Sequence, residues 1–240
     1  MIVEVCANSL ESALNAEKGG ADRIELCSEL GVGGITPSHG LIQLVVERLS
    51  IPVHVLVRPR SGHFTYSEPE MEVLLKDIEN CNNIGVSGIV TGVLNKDATI
   101  NEQQMRTLVK AVKPLHFTFH RAFDWVPNPK AALAQLEDIG VDTILTSGQS
   151  SNAEKGITLL KELGNHSEKI TIMAGAGINA TNVHWFKELG MKAIHLSGTQ
   201  FGNSISINDK VSMNSSNHLA EHHIAVTQTE AIRKVVQSVK

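Results

Sequence analysis

The chain has 240 residues, 42% hydrophobic and 19% charged, a length that allows one large domain or two small ones around a sizeable core. Its formal net charge of −4 argues against a nucleic-acid partner, and no apolar stretch approaches the roughly 20 residues needed to cross a membrane. Three widely spaced cysteines argue against a disulfide framework and no signal peptide is visible, so we expect a soluble cytoplasmic protein.

Short runs rich in valine and isoleucine alternate with longer amphipathic segments along almost the whole chain. The runs predict eight strands, at residues 2–6, 23–27, 53–57, 88–91, 116–119, 143–146, 170–173 and 193–197. The segments between them predict a first helix capped by Ser9 and further helices at residues 41–49, 68–84, 102–112, 129–139, 153–163 and 181–189. This alternation predicts an α/β fold in which residues 1–200 form a single-domain (β/α)8 TIM barrel.

The competing fold is an open doubly wound sheet, which usually carries a Gly-x-Gly-x-x-Gly pattern after its first strand. The stretch Cys6-Ala-Asn-Ser9 lacks that pattern, and we find no motif for an organic cofactor. Beyond the eighth strand, residues 201–217 are rich in Asn and Ser, and residues 219–239 predict a final helix or an arm. We expect residues 201–240 to be a C-terminal extension packed on the barrel or on a partner subunit, in a homodimer.

Charged side chains lie near the carboxyl ends of the predicted strands, where barrel enzymes place their chemistry. Glu4 lies in the first strand, Glu25 in the second, Arg58 just after the third, His120 just after the fifth, and Asp124 follows four residues later. These types supply acids, a base and a fixed cation, so we predict all five as catalytic residues. The open alternatives are a buried salt-bridge network of Glu4, Glu25 and Arg58, a core histidine at His120, and a turn cap at Asp124.

Glycine-rich loops follow the last strands of the predicted barrel, where barrel enzymes often hold a phosphate through backbone N–H groups. Gly175 and Gly177 follow the seventh strand, Ser197 ends the eighth, and Ser147 follows the sixth. We predict that these four residues bind an anion. The alternative is that the glycines only allow tight turns.

Two cysteines share the strand faces of the predicted acids, with Cys6 beside Glu4 and Cys27 beside Glu25. Thiolates select Cu(I) or Zn(II), so this pair predicts a metal site, although a buried cysteine is often only a small hydrophobic residue. His218, His222 and His223 have the spacing of some zinc pairs, but without a third ligand nearby they are better explained as a surface patch.

Several longer motifs together resemble the CutC family over roughly residues 1–200. They are Gly20-Ala-Asp-Arg-Ile-Glu-Leu-Cys27, Gly33-Gly-Ile-Thr-Pro-Ser38, Arg58-Pro-Arg60, Thr118-Phe-His-Arg-Ala-Phe-Asp124, Leu145-Thr-Ser-Gly148 and Ala174-Gly-Ala-Gly177. The resemblance implies a cytoplasmic TIM barrel with a role in copper homeostasis, whose copper ligands would be Cys6 and Cys27.

The sequence therefore leaves two functional hypotheses. The first is a copper homeostasis protein that binds Cu(I) through Cys6 and Cys27. The second is a lyase or isomerase type of enzyme acting on a small phosphorylated or carboxylated metabolite by acid–base chemistry. No lysine stands at a predicted strand end to form a Schiff base, which removes one aldolase route. A binding protein without turnover is a third, simpler possibility.

Overall fold

The computed structural model describes residues 1–202, 205–206, 211 and 224–240. Eight parallel strands close into a barrel in the order β1 to β8, which confirms the predicted (β/α)8 fold. The strands are β1 Ile2–Ala7, β2 Arg23–Leu26, β3 Val53–Leu56, β4 Gly88–Thr91, β5 His116–Phe119, β6 Thr143–Thr146, β7 Thr171–Gly175 and β8 Ala193–Leu196.

Seven helices follow the strands of the barrel. They are α1 Leu10–Lys18, α2 His39–Arg48, α3 Glu68–Ile84, α4 Glu102–Val112, α5 Pro129–Ile139, α6 Ile157–His166 and α7 Val183–Glu188. Beyond the barrel, β9 Thr199–Gly202 pairs antiparallel with β10 Ile224–Thr227, and α8 Thr229–Val239 follows. No helix within the described ranges is long and apolar enough to cross a membrane.

Helix α3 illustrates how local sequence sets the helix ends. The Ser67 side chain accepts from the backbone of Glu70, and the Glu70 carboxylate accepts from the backbone of Ser67, which forms a capping box. Gly85 ends the helix in the left-handed conformation, with φ of 88°, which glycine adopts at low cost. The predicted bounds 68–84 agree with the structure for this reason.

Helix α6 starts four residues later than predicted. A Cβ on Gly148 would lie 2.2 Å from the carbonyl oxygen of Gly156, so the two glycines allow the loop after β6 to fold back on itself. The Ala153 N–H donates to the carbonyl of Ala176 rather than within a helix. The predicted helix at 153–163 therefore begins at Ile157.

The C-terminal extension, predicted as a final helix or an arm over 219–239, contains a strand as well as a helix in its described part. Residues Ile224–Thr227 pair with β9 as a strand, because their β-branched side chains suit a sheet, and only Thr229–Val239 is helical. Ile232 of α8 is fully buried against Gly19 and Gly198, where a Cβ would lie within 2.7 and 2.6 Å of its side chain. His218, His222 and His223 lie outside the described residues.

The barrel interior holds a cluster of charged side chains on β1 to β3, to which β8 adds His195. Glu4, Arg23, Glu25 and His54 lie on β1 to β3, all buried. On β6 to β8, by contrast, Leu145, Met173 and Ala193 form a small apolar cluster inside the ring. The charged side chains therefore lie near the pairing of β1 with β8.

Candidate functional site

A cavity of about 1380 Å³ opens at the carboxyl ends of the strands. Its wall includes eight of the eleven predicted site residues: Cys6, Glu25, Cys27, Arg58, His120, Asp124, Gly177 and Ser197. Glu4, Ser147 and Gly175 do not line it. The loops after the strands, together with β9 and β10, form the rim, so the described part of the extension contributes to the cavity.

Glu4 is the centre of a buried charged cluster. Its carboxylate accepts from Arg23 Nε at 2.5 Å and pairs with His195 Nδ1 at 2.8 Å, and His54 Nδ1 lies 3.8 Å away. Burial alone would raise the pKa of Glu4, but the His195 hydrogen bond and the Arg23 charge lower it to about 2. Glu4 therefore stays ionised and holds two cationic side chains in place.

His195 and Arg23 belong to this cluster, and the sequence interpretation selected neither of them. Burial disfavours a charged imidazole at His195, but the neighbouring Cys6, Glu25 and Glu4 raise its pKa well above the ordinary value. The strand periodicity contained the signal, because Ala193, His195 and Ser197 share the inward face of β8. Ser197 was selected and His195 was not.

Glu25 differs from Glu4 although both are buried. Its Oε2 has no hydrogen-bond partner among the described residues. Burial raises the pKa of Glu25 to about 7, with His195 opposing this rise and the nearby charge of Glu4 adding to it. Because Glu25 also lines the cavity, its carboxyl group can exchange a proton with a bound ligand near neutral pH.

His120 is held as a neutral imidazole. Its Nδ1 accepts from the Ala122 N–H at 3.3 Å, and its ring packs 4.7 Å from the ring of Phe64. Burial, followed by the charge of Arg58, lowers the pKa of His120 to about 3. Because Nδ1 accepts, the ring proton resides on Nε2, which has no partner within the described chain. The geometry favours a hydrogen-bond donor here over the predicted proton shuttle.

Arg58 organises two loops of the cavity wall. Its Nη1 donates to the carbonyls of Val32 and Gly34, at 2.9 and 2.8 Å, and its Nη2 donates to Gly62 at 2.7 Å. The guanidinium carbon also lies 5.0 Å from the centre of the Phe64 ring. These contacts favour a positioning role over the predicted neutralisation of charge on a substrate.

Asp124 is saturated with hydrogen bonds. It accepts from the Thr146 hydroxyl at 2.5 Å, from the Ser147 N–H and hydroxyl at 3.0 and 2.9 Å, and from the Gln149 N–H at 3.2 Å. Arg121 Nε donates to it as well, at 2.7 Å. Asp124 therefore joins the loops after β5 and β6. The Ser147 N–H, predicted to help bind an anion, donates to Asp124, and the Ser147 hydroxyl lies 2.7 Å from the Ser150 carbonyl oxygen as well as 2.9 Å from Asp124.

The loops after β7 and β8 contribute differently to the predicted anion site. Gly175 is buried at the end of β7, where a Cβ would lie 2.6 Å from Leu145 Cδ1, so close packing accounts for this glycine. Gly177 has φ of 75° and lines the cavity, as does Ser197. The Ser197 hydroxyl lies 3.0 Å from the Thr199 hydroxyl. Gly177 and Ser197 are therefore the two predicted anion-binding residues that line the cavity.

Cys6 and Cys27 line the same cavity as free thiols. Cys6 on β1 lies opposite Glu25 on β2. Because side chains alternate along a strand, Cys27 follows Glu25 on the same face, one inward position further along the chain. Burial raises the pKa of Cys27, and the proximity of Cys6 raises it further. Two sulfurs from neighbouring strands are a donor pair that suits Cu(I).

Glu4, Glu25 and His195 also offer ligand atoms within 4.8 Å of one another. Arg23 already donates to Glu4, however, and His195 is held by the same carboxylate. The cluster is therefore compensated by the protein's own charges, which weakens the attraction for a divalent cation.

The protein is therefore a (β/α)8 barrel with a buried charged cluster beside a large cavity at the carboxyl ends of its strands. A family model described as CutC family matches residues 1–200. A family protein CutC from Serratia proteamaculans (strain 568) is 45% identical over 195 residues, covering 81% of this chain and 77% of the relative. The chain belongs to the CutC family.

Solved structures agree with this assignment. A copper homeostasis protein CutC from Streptococcus agalactiae superimposes with a TM-score of 0.79 at 32% identity, covering 82% of this chain and 98% of that one. A 3-hexulose-6-phosphate synthase from Salmonella typhimurium has a TM-score of 0.65 at 14% identity, over 100% and 98% of the two chains. The second similarity concerns the fold alone.

Proposed function

We propose that the cavity is the active site of an enzyme that performs acid–base chemistry on a small phosphorylated or carboxylated metabolite. The observation that carries this proposal is Glu25, a buried carboxyl group on the cavity wall whose Oε2 has no partner among the described residues. Leaving a buried polar atom without a partner is costly unless a ligand satisfies it. A pKa of about 7 suits such a group for accepting and returning a proton.

In this proposal the reaction is an enolisation or a related lyase step. Ionised Glu25 removes a proton from the carbon next to a substrate carbonyl, the C–H electron pair forms the C=C bond, and negative charge develops on the carbonyl oxygen. Protonated His195 donates to that oxygen, while Glu4 and Arg23 act as positioning residues. No lysine lines the described part of the cavity, so a Schiff base plays no part.

Gly177 and Ser197 would hold the anionic end of the metabolite. Both lie in the loops after β7 and β8, the usual phosphate position in barrels. Asp124 and Ser147 would not contact the substrate, because their polar atoms serve the loops, and both Nη atoms of Arg58 donate to loop carbonyls.

Exchange of substrate protons with solvent tests the enzyme proposal. We expect protein incubated in D₂O with a panel of phosphorylated and carboxylated carbonyl compounds to label the carbon beside the carbonyl of one of them. Glu25→Gln should slow this exchange by at least about 100-fold, as measured by NMR. Glu29→Gln is the matched control, because Glu29 lines the rim of the same cavity and is exposed. Equal exchange in wild type and Glu25→Gln would contradict the role of Glu25.

A second candidate function is Cu(I) binding in copper homeostasis, and the two cavity-lining thiols favour it. Cys6 and Cys27 would be the ligands, and the imidazole of His195 lies beside Cys6. The family includes a protein named for copper homeostasis. The charged cluster around Glu4 has no evident part in copper binding, so the enzyme proposal accounts for more of the site.

A competition titration with a chromogenic Cu(I) chelator tests this second function. The Cys6→Ser, Cys27→Ser double variant should no longer take Cu(I) from the chelator. Cys81→Ser should bind Cu(I) as the wild type does, because Cys81 is buried in α3 away from the cavity. Unchanged Cu(I) affinity in the double variant would eliminate the site.

Two further expectations remain proposals. A cytoplasmic location fits both functions because all three cysteines are free thiols. We also propose a homodimer, which sedimentation of the purified protein would test.

A further inference from the structure

The rim of the cavity carries two aromatic side chains with no role in the proposed chemistry. Trp125 ends the short 3-10 helix Arg121–Trp125, and Phe64 lies in the loop after β3. Both line the cavity, and their ring centres are 4.9 Å apart in an edge-to-face arrangement. Trp125 is 54% exposed, although an indole normally buries most of its area.

The aromatic pair is rigidly held. Phe64 lies against the Arg58 guanidinium at 5.0 Å and against the His120 ring at 4.7 Å, while its carbonyl accepts from the Leu94 N–H at 2.9 Å. The position of Trp125 follows from its neighbour Asp124, whose hydrogen bonds fix the whole turn. A fixed aromatic surface binds a ring with little loss of side-chain entropy.

The cavity is large enough for one ligand to reach both its polar wall and this rim. Its volume of about 1380 Å³ exceeds the roughly 300–1,000 Å³ of most small-molecule sites. A small sugar phosphate or carboxylic acid alone would leave the rim unfilled. Leu30 and Val32 add apolar side chains to the cavity lining.

We propose that Trp125 and Phe64 form a subsite for a planar ring, and that the natural ligand joins an aromatic or heteroaromatic ring to a phosphate or carboxylate group. This inference rests on the proposed function, because the anionic group is the end bound near Gly177 and Ser197. The ring stacks on the open face of Trp125 while the reacting carbon lies near Glu25.

Binding of phosphate esters tests the subsite without knowledge of the natural ligand. By calorimetry, phenyl phosphate should bind about tenfold more tightly than methyl phosphate, because only the phenyl ring can stack. Trp125→Ala should abolish this preference and leave the affinity for methyl phosphate unchanged. Trp125→Phe should retain part of it. Trp185→Ala is the matched control, because Trp185 is 37% exposed on α7 and does not line the cavity.

Fluorescence supplies a second measurement. Trp125 and Trp185 are the two tryptophans of the chain, so Trp185→Phe leaves Trp125 as the single reporter. Phenyl phosphate should change its emission and methyl phosphate should not. Equal affinities for the two esters, or a preference that survives Trp125→Ala, would overturn the ring subsite and leave the anion site intact. If neither ester binds, the anion site of the proposed function fails as well, and the subsite falls with it.

Discussion

Asp124 and Glu25 are two buried carboxyl groups on opposite parts of the cavity wall, and they differ in what their oxygens contact. Asp124 accepts hydrogen bonds from Arg121, Thr146, Ser147 and Gln149. Glu25 has an oxygen without a partner among the described residues and a pKa raised to about 7 by burial. A carboxylate saturated by its own protein stabilises the loops, whereas an unsatisfied one is available to a ligand.

The largest expected effect is the loss of stability on changing the saturated group. Asp124→Ala leaves the Thr146 hydroxyl and the Ser147 N–H without an acceptor, so we expect a loss of about 3 kcal/mol in the free energy of unfolding. Urea denaturation measures this loss. A change below about 1 kcal/mol would mean that Asp124 does not hold the two loops together.

The unsatisfied group should behave in the opposite way. The pKa of Glu25 is higher in the folded protein than in the unfolded chain. The stability that comes from protonated Glu25 is therefore fully present at low pH and is lost as the pH rises through about 7. Glu25→Gln cannot ionise at this position. Its free energy of unfolding relative to wild type should therefore rise by about 2–3 kcal/mol between pH 5 and pH 8.

Denaturation of both proteins at the two pH values measures the difference. Glu29→Gln, on the exposed rim, should show no such pH-dependent gain. A pH-independent difference between Glu25→Gln and wild type would place the pKa of Glu25 in the ordinary range and remove the contrast with Asp124.

Ser147 and Ser197 allow the same comparison between a group bonded within the protein and a group on the cavity wall, with smaller expected effects. The Ser147 hydroxyl is within hydrogen-bond distance of Asp124 and of the Ser150 carbonyl, so Ser147→Ala should cost about 1 kcal/mol of stability without changing phosphate-ester affinity. Ser197 faces the cavity, so Ser197→Ala should weaken that affinity about fivefold with little effect on stability. Calorimetry and urea denaturation on both variants check the pair, and the reverse pattern would reassign the anion site to the loop after β6.

The barrel could be predicted from sequence because each strand and helix carries its own local signal. The helix Glu68–Ile84, for example, begins at a capping box and ends at a left-handed glycine. The start of α6 could not be predicted, because it depends on the contact of Gly148 with Gly156, which only the folded loop reveals.

Residue identity and strand position predicted which side chains reach the cavity rim, but not which of them are free to act. Arg58 and Asp124 have the residue types of a catalytic site, and their hydrogen bonds are taken up by loop backbone and neighbouring side chains. His195 was missed although its alternation with Ser197 places it on the inward face of β8, because the local sequence does not show what the imidazole contacts. Its importance arises from Glu4, which is 191 positions away in the chain.

That long separation gives the pairing of β1 with β8 a consequence for folding. Contacts between distant parts of a chain close large loops and form late, so the acid–base cluster comes into being only when the ring closes. Any molecule that binds between Glu25 and His195 thereby selects closed barrels over partly open ones. Ligand screens based on a rise in melting temperature are for this reason well suited to finding the natural substrate.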